Sequence, residues 1–130
     1  MTFLLPLLTA CAPSADTAED LFWVEEVEPA DGTIVPNALV LVSLYLSDAP
    51  DVSRCTLDTL RVDAVRDDGS VAFSPAVELD VSGERFLMLK PVGPYLAGWT
   101  YQISAEGGAD GCADVDGVPI TPFASTFEVP

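Results

Sequence analysis

Leu39-Val40-Leu41-Val42-Ser43-Leu44-Tyr45-Leu46-Ser47 is the stretch whose reading decides the fold. Val40, Val42, Leu44 and Leu46 share one parity, and Ser43, Tyr45 and Ser47 share the other, so the side chains alternate with the period of a β-strand. A strand with one apolar and one polar side belongs in an antiparallel sheet that covers a core on one face. Further along, Leu60–Val65 alternates Leu60, Val62 and Ala64 against Arg61 and Asp63. Asp68-Gly69 is a hairpin signal ahead of Val71–Phe73. Val77–Val81 alternates again, and Ser82-Gly83 turns the chain into residues 85–90. Trp99–Ala105 and Phe123–Val129 complete the set, with Phe123, Ser125, Phe127 and Val129 on one side of the last strand.

No segment carries a sustained three-four apolar spacing. The 11 prolines and 9 glycines fall mostly between the alternating runs, where turns need them. About seven short strands in roughly 110 residues predict an all-β fold, a single antiparallel β-sandwich over 21–130. With 49% hydrophobic residues there is enough apolar surface for a core.

The first 20 residues read differently. Phe3-Leu4-Leu5-Pro6-Leu7-Leu8 is a short apolar run, well below the roughly 20 residues that span a bilayer. It ends in Leu8-Thr9-Ala10-Cys11, the pattern of a bacterial lipobox, in which a signal peptidase cuts before a cysteine that carries lipid. Residues 1–10 are then an export signal. Residues 11–20 are the lipidated Cys11 followed by a small, acidic, flexible tether. The basic start usual for such signals is missing, since the first Lys or Arg is Arg54. The competing reading is a buried strand over 3–8 and an ordinary thiol at Cys11. By resemblance to enteric lipoprotein sorting, Ala12 rather than aspartate after the cysteine favours the outer membrane.

With Cys11 consumed, Cys55 and Cys112 remain as one pair. In an oxidising compartment they are expected to form a disulfide closing a loop of about 57 residue steps, which contributes about 4 kcal/mol in the chain-entropy account. Two separate buried thiols are the alternative.

Charge excludes several partners. Asp and Glu total 21 against 5 Lys and Arg, a net −16, so nucleic acid and anionic head groups are repelled. The absence of histidine removes Ser-His-Asp triads, His-ligated zinc and the usual base near neutral pH. Lys90 is the only lysine and follows no phosphate-cradling glycine loop. No catalytic residue is assigned and no enzyme is expected.

Two binding sites stay open. Glu106, Asp110, Asp114 and Asp116 crowd carboxylates into one glycine-rich loop, as calcium sites do. The spacing is not that of an EF-hand, because Cys112 would stand first and Phe123 twelfth. A solvated acidic loop without metal is the simpler expectation. Trp23, Tyr95 and Trp99 would make an aromatic platform for carbohydrate or peptide if exposed together; otherwise they plug the ends of the core.

A family resemblance runs through the same residues. Glu28-Pro29-Ala30-Asp31-Gly32-Thr33 resembles the opening turn of the SbsA-type Ig-like domains of bacterial surface proteins. Residues 39–47 with Asp48-Ala49-Pro50 resemble that family's strand and bend. Thr56-Leu57 with Leu60-Arg61-Val62 is similar to the start of its next strand. Leu96-Ala97-Gly98-Trp99-Thr100-Tyr101 is similar to its later glycine-to-tyrosine region. Asp114-Val115-Asp116-Gly117-Val118-Pro119-Ile120 with Thr126-Phe127-Glu128-Val129 resembles its ending.

The departures are Leu96, one residue too close to Gly98, Val118 in place of Asn, and the two cysteines. The resemblance implies an Ig-like sandwich on a surface protein. Tyr101 is then either a tyrosine corner, its hydroxyl closing a backbone group upstream, or simple core packing. Together these readings make the chain a lipid-anchored, non-catalytic display or interaction module of the cell envelope. The alternative is a small ligand-binding lipoprotein.

Overall fold

The computed structural model describes residues 21–36, 38–81 and 84–130. The export signal 1–10, the lipidated Cys11, the tether 11–20 and the Ser82-Gly83 turn lie outside them. Nine strands are present among the described residues: β1 Val24–Glu28, β2 Thr33–Ile34, β3 Val42–Leu46, β4 Leu60–Val65, β5 Val71–Phe73, β6 Val77–Val81, β7 Phe86–Pro91, β8 Trp99–Ala105 and β9 Phe123–Val129. They form a four-stranded sheet in the order β1-β3-β7-β6 and a five-stranded sheet in the order β2-β9-β8-β4-β5. The all-β sandwich is as expected, with two corrections. There are nine strands rather than about seven, and one pair, β2 with β9, is parallel.

The core lies between the sheets and follows the predicted alternation. Val42, Leu44 and Leu46 of β3 and Leu87 and Leu89 of β7 are buried from one side. Leu60, Val62 and Ala64 of β4, Tyr101, Ile103 and Ala105 of β8, and Ser125, Phe127 and Val129 of β9 are buried from the other. The run 39–47 enters the sheet at Val42 rather than Leu39. Leu39 and Leu41 are exposed, and the carbonyl of Ala38 accepts a hydrogen bond from the Tyr95 amide at 2.8 Å, which holds this segment as a connection.

Both added strands escape a period-two search for physical reasons. β1 has a register shift between Val24 and Glu26, so its valines stand three apart. β2 has only two residues. It is held by the turn before it, where the Asp31 carboxylate accepts from the Thr126 amide at 2.9 Å and the Gly32 amide donates to the Thr126 carbonyl at 2.8 Å. Gly32 has φ +79°, a conformation that costs other L-residues energy. The Asp68-Gly69 hairpin forms as predicted, with the Arg66 amide donating to the Ser70 carbonyl at 2.9 Å.

Five rings fill the end of the core below the β7–β8 connection. Tyr101 stacks on Phe127 at 5.5 Å, Tyr95 lies 4.8 Å from Tyr101, and Phe73 meets Trp99 edge-on at 5.2 Å. Tyr101 resolves its two readings by satisfying both. Its ring is fully buried, and its hydroxyl accepts from the Leu96 amide at 2.8 Å while donating to the Leu96 carbonyl at 3.1 Å. It does so from within β8. Tyr95 differs, because its buried hydroxyl has no hydrogen-bond partner among the described residues.

That contrast sets a test. Tyr101→Phe strands a backbone donor and acceptor and is expected to cost about 1–2 kcal/mol, read from the urea midpoint. Tyr95→Phe removes an unpartnered hydroxyl and is expected to be neutral or stabilising, within about 0.5 kcal/mol. Equal losses at the two positions would contradict the assignment.

A second test is alkaline. Burial pushes the Tyr95 phenol up to about 12, and raises that of Tyr101 as well. The folded chain therefore holds these protons more tightly than the unfolded chain, whose tyrosines titrate near 10. The associated stabilisation is complete below about pH 10 and is lost as pH rises toward 12. Tyrosinate absorbance is expected to appear late and together with loss of the fold. Early, reversible ionisation of Tyr95 or Tyr101 in the folded state, read against a Tyr45→Phe background, would refute this.

Candidate functional site

One end of the sandwich is made almost entirely of non-strand chain: the β3–β4 connection, 47–59, and the β8–β9 connection, 106–122. Such chain has few ladders to hold it, and covalent and polar ties do so instead. Cys55 and Cys112 are joined as the sequence predicts, with the Cα atoms 4.2 Å apart and both side chains buried. Beside the bridge, the Arg54 guanidinium donates to the carbonyls of Gly111 (3.1 Å), Gly108 (3.1 Å) and Ala109 (2.8 Å). Gly107 packs so closely on Ile120 that a Cβ there would stand 2.0 Å from its carbonyl oxygen. Isolated bridges pair Pro50 with Asp114, and Phe22 with Ile120. The described chain therefore enters the fold at this end.

Asp114 is the organiser of the acidic loop. It is buried, and its Oδ1 accepts from the amides of Asp116 at 3.0 Å and Val118 at 2.9 Å, closing the turn. Asp48 is brought alongside from the other connection. Carboxylate oxygens of Asp48, Asp114 and Asp116 all lie within 4.8 Å of one another. The structure thus gathers two of the four sequence candidates, and leaves the exposed Glu106 and Asp110 outside the group. It adds Asp48, which no local spacing could reveal because its neighbour is brought in by the Pro50–Asp114 bridge. Three carboxylates are fewer than the six to eight oxygens a calcium ion takes. Backbone carbonyls and water would have to complete such a shell.

The aromatic platform is corrected. Tyr95 is 3% exposed and belongs to the core, and Trp99 is half-buried against Phe73. Of the three rings only Trp23 is exposed, at 43%. The rings were drawn inward because two of them flank the β7–β8 connection, whose backbone is closed by Tyr101.

A cavity of about 290 Å³ opens where β4 meets the β5–β6 crossover, lined by Leu57, Arg61, Asp63, Ser74, Pro75 and Val77 among others. Its polar groups are already paired. Arg61 grips the buried Asp63 through Nη2 at 3.0 Å and Nε at 3.2 Å, and the Ser74 hydroxyl donates to Asp63 at 2.6 Å. Asp63 holds the Arg61 guanidinium above its ordinary range. Its size is at the lower limit of small-molecule sites, and it presents no unpaired charge aimed at a ligand. Arg61 and Asp63 share a strand face, a period-two pairing legible in the sequence once Leu60–Val65 is read as a strand.

No protein-family model and no curated protein sequence matches the chain. Among solved structures it is similar to the crystal structure of the S-layer protein rSbsC(31-844), with a TM-score of 0.57 and 16% identity over 90% of this chain. It is also similar to the N-terminal part of the bacterial S-layer protein SbsC, with a TM-score of 0.56 and 17% identity over 91%. Domains 1–6 of surface layer protein SbsC match with a TM-score of 0.56 and 18% identity over 89%. The chain spans only 15%, 26% and 14% of those proteins, respectively. At such identities the likeness establishes a shared β-sandwich fold.

Proposed function

We propose that this chain is a non-catalytic interaction or display module of the bacterial cell envelope, held there by lipid on Cys11. The observation that carries the reading is the Cys55–Cys112 disulfide. It supports an oxidising compartment and leaves Cys11 as the odd thiol, in a sequence that reads as a lipobox. A sandwich fold shared with S-layer proteins supports the bacterial surface, and the lack of histidine supports a module without catalysis.

The geometry fits an anchor at the disulfide end. Phe22 is bridged to Ile120 there, so the preceding residues leave from that end. In this arrangement the connections 35–41, 66–70 and 92–98 stand away from the membrane. A second reading, a calcium-binding lipoprotein, is favoured only by the Asp48–Asp114–Asp116 group.

Two measurements test these readings. In cells fed a fatty-acid analogue the native protein is expected to take the label and the Cys11→Ser variant to lose it; equal labelling would overturn the anchor. For calcium, the thermal midpoint is expected to rise by several degrees over that in chelator at saturating metal, as preferential binding to the folded state requires. Asp48→Asn should abolish the rise without disturbing the Asp114 turn. A midpoint indifferent to calcium would end the second reading.

A further inference from the structure

The two outer faces of the sandwich differ in charge, and the difference follows the strand register. On the four-stranded sheet the inward row Val27–Leu44–Leu87–Val81 alternates with outward rows. One outward row is Glu26–Tyr45–Phe86, the next is Glu28–Ser43–Met88–Asp80, and a third pairs Glu78 with Lys90. The outer face therefore carries Tyr45, Phe86 and Met88 along its two central strands. Glu26 and Glu28 stand in a column on edge strand β1, and Glu78 and Asp80 on edge strand β6. Tyr45 and Phe86 are in ring contact at 5.1 Å, and Tyr45 is 37% exposed. Lys90, 3.8 Å from Asp80, is the one cation in these rows.

The five-stranded sheet has no such pattern. Its outward rows are Arg61–Ser104–Ala124, Asp63–Gln102–Thr126 and Val71–Val65–Thr100–Glu128–Ile34. There Arg61 neutralises Asp63 within the face, the apolar Val71, Val65 and Ile34 lie in one row toward its edges, and Glu128 is the one further charge in these rows. Paired acidic columns around an aromatic centre are a property of one face, beyond what the overall charge requires.

From this we infer that the outer face of the four-stranded sheet docks a basic amphipathic helix of a partner protein. The columns stand on strands three spacings apart, about 14 Å. A helix with its side chains is about 10–12 Å across, so it fits between them. Its apolar stripe would cover Tyr45, Phe86 and Met88. Lys or Arg on its two flanks would reach Glu26 and Glu28 on one side, and Glu78 and Asp80 on the other. A second copy of this chain does not suit the face, because acidic column would meet acidic column at a net charge of −16 per molecule. The inference deepens the interaction-module reading and rests on it, but not on the lipid: labelling at Cys11 reports the anchor, and peptide binding reports the face.

The test uses the full chain and a synthetic leucine–lysine amphipathic helix, with a leucine–glutamate helix as the charge-reversed control. The face variant is Glu26→Gln with Glu28→Gln, Glu78→Gln and Asp80→Asn. A matched variant removes as many charges from connections: Asp58→Asn, Asp67→Asn, Glu106→Gln and Asp110→Asn. Both are checked for an unchanged thermal midpoint. If that of the face variant falls, Tyr45→Ser replaces it and is expected to weaken binding by at least about fivefold. The lysine helix is expected to bind saturably, to lose about tenfold or more on the face variant and no more than about twofold on the matched one. Equal losses on the two variants, or no saturable binding, would overturn the proposal.

Discussion

The Cys55–Cys112 bond is the constraint on which the disulfide end of the molecule depends. It ties the connection between the two sheets, 47–59, to the connection within the five-stranded sheet, 106–122. These segments carry glycines and aspartates in place of ladders. By loop-closure entropy such a bridge is worth about 4 kcal/mol, a large part of the 5–15 kcal/mol by which domains are stable. Other features are conditional on it. Arg54 can cap three carbonyls of 108–111 only if that loop stays beside residue 55. Asp48 meets Asp114 and Asp116 only because the two connections are held together. Three close carboxylates repel one another, so the covalent tie sustains an arrangement that electrostatics alone would open.

At the opposite end the same problem is solved without a covalent bond. Tyr101 fills the core with its ring and satisfies both backbone groups of Leu96 with one hydroxyl. Tyr95 and Phe127 pack around it, so the β7–β8 connection is closed by aromatic burial. The two ends are thus held by different chemistry, one sensitive to reduction and the other to alkaline ionisation.

How much of this was legible depended on whether a feature is local in sequence. Seven strands were readable because one buried face imposes strict alternation on residues such as Val42, Leu44 and Leu46. β1 was not, because a bulge moved Val27 out of step with Val24. β2 was not, because two residues have no period and its partner Phe127 lies far along the chain. The cysteine pairing followed from parity. Asp48 escaped because its relation to Asp114 exists only in three dimensions. Tyr95 had two readings, platform or core plug, and its burial chooses the second because this connection folds over the core. The likeness to S-layer domains, expected from short motifs in order, returned as a likeness of fold. The SbsC structures carry that likeness of fold, and the SbsA type is a finer assignment than they reach.

Charge acquires direction once the fold is known. In the sequence, 21 acidic residues repel polyanions in general but point nowhere. On the four-stranded sheet some of them become two columns that run along strands, from the disulfide end toward the far end. In the anchored arrangement proposed above, the tether leaves from the disulfide end. A chain of net −16 close to anionic head groups is pushed away from them, within a Debye length of about 8–10 Å. That repulsion disfavours the acidic face lying flat on the membrane and keeps it turned sideways, toward whatever shares the envelope space. On the docking proposal, the charge that repels anionic head groups is the same charge that would draw a basic partner to the sheet face.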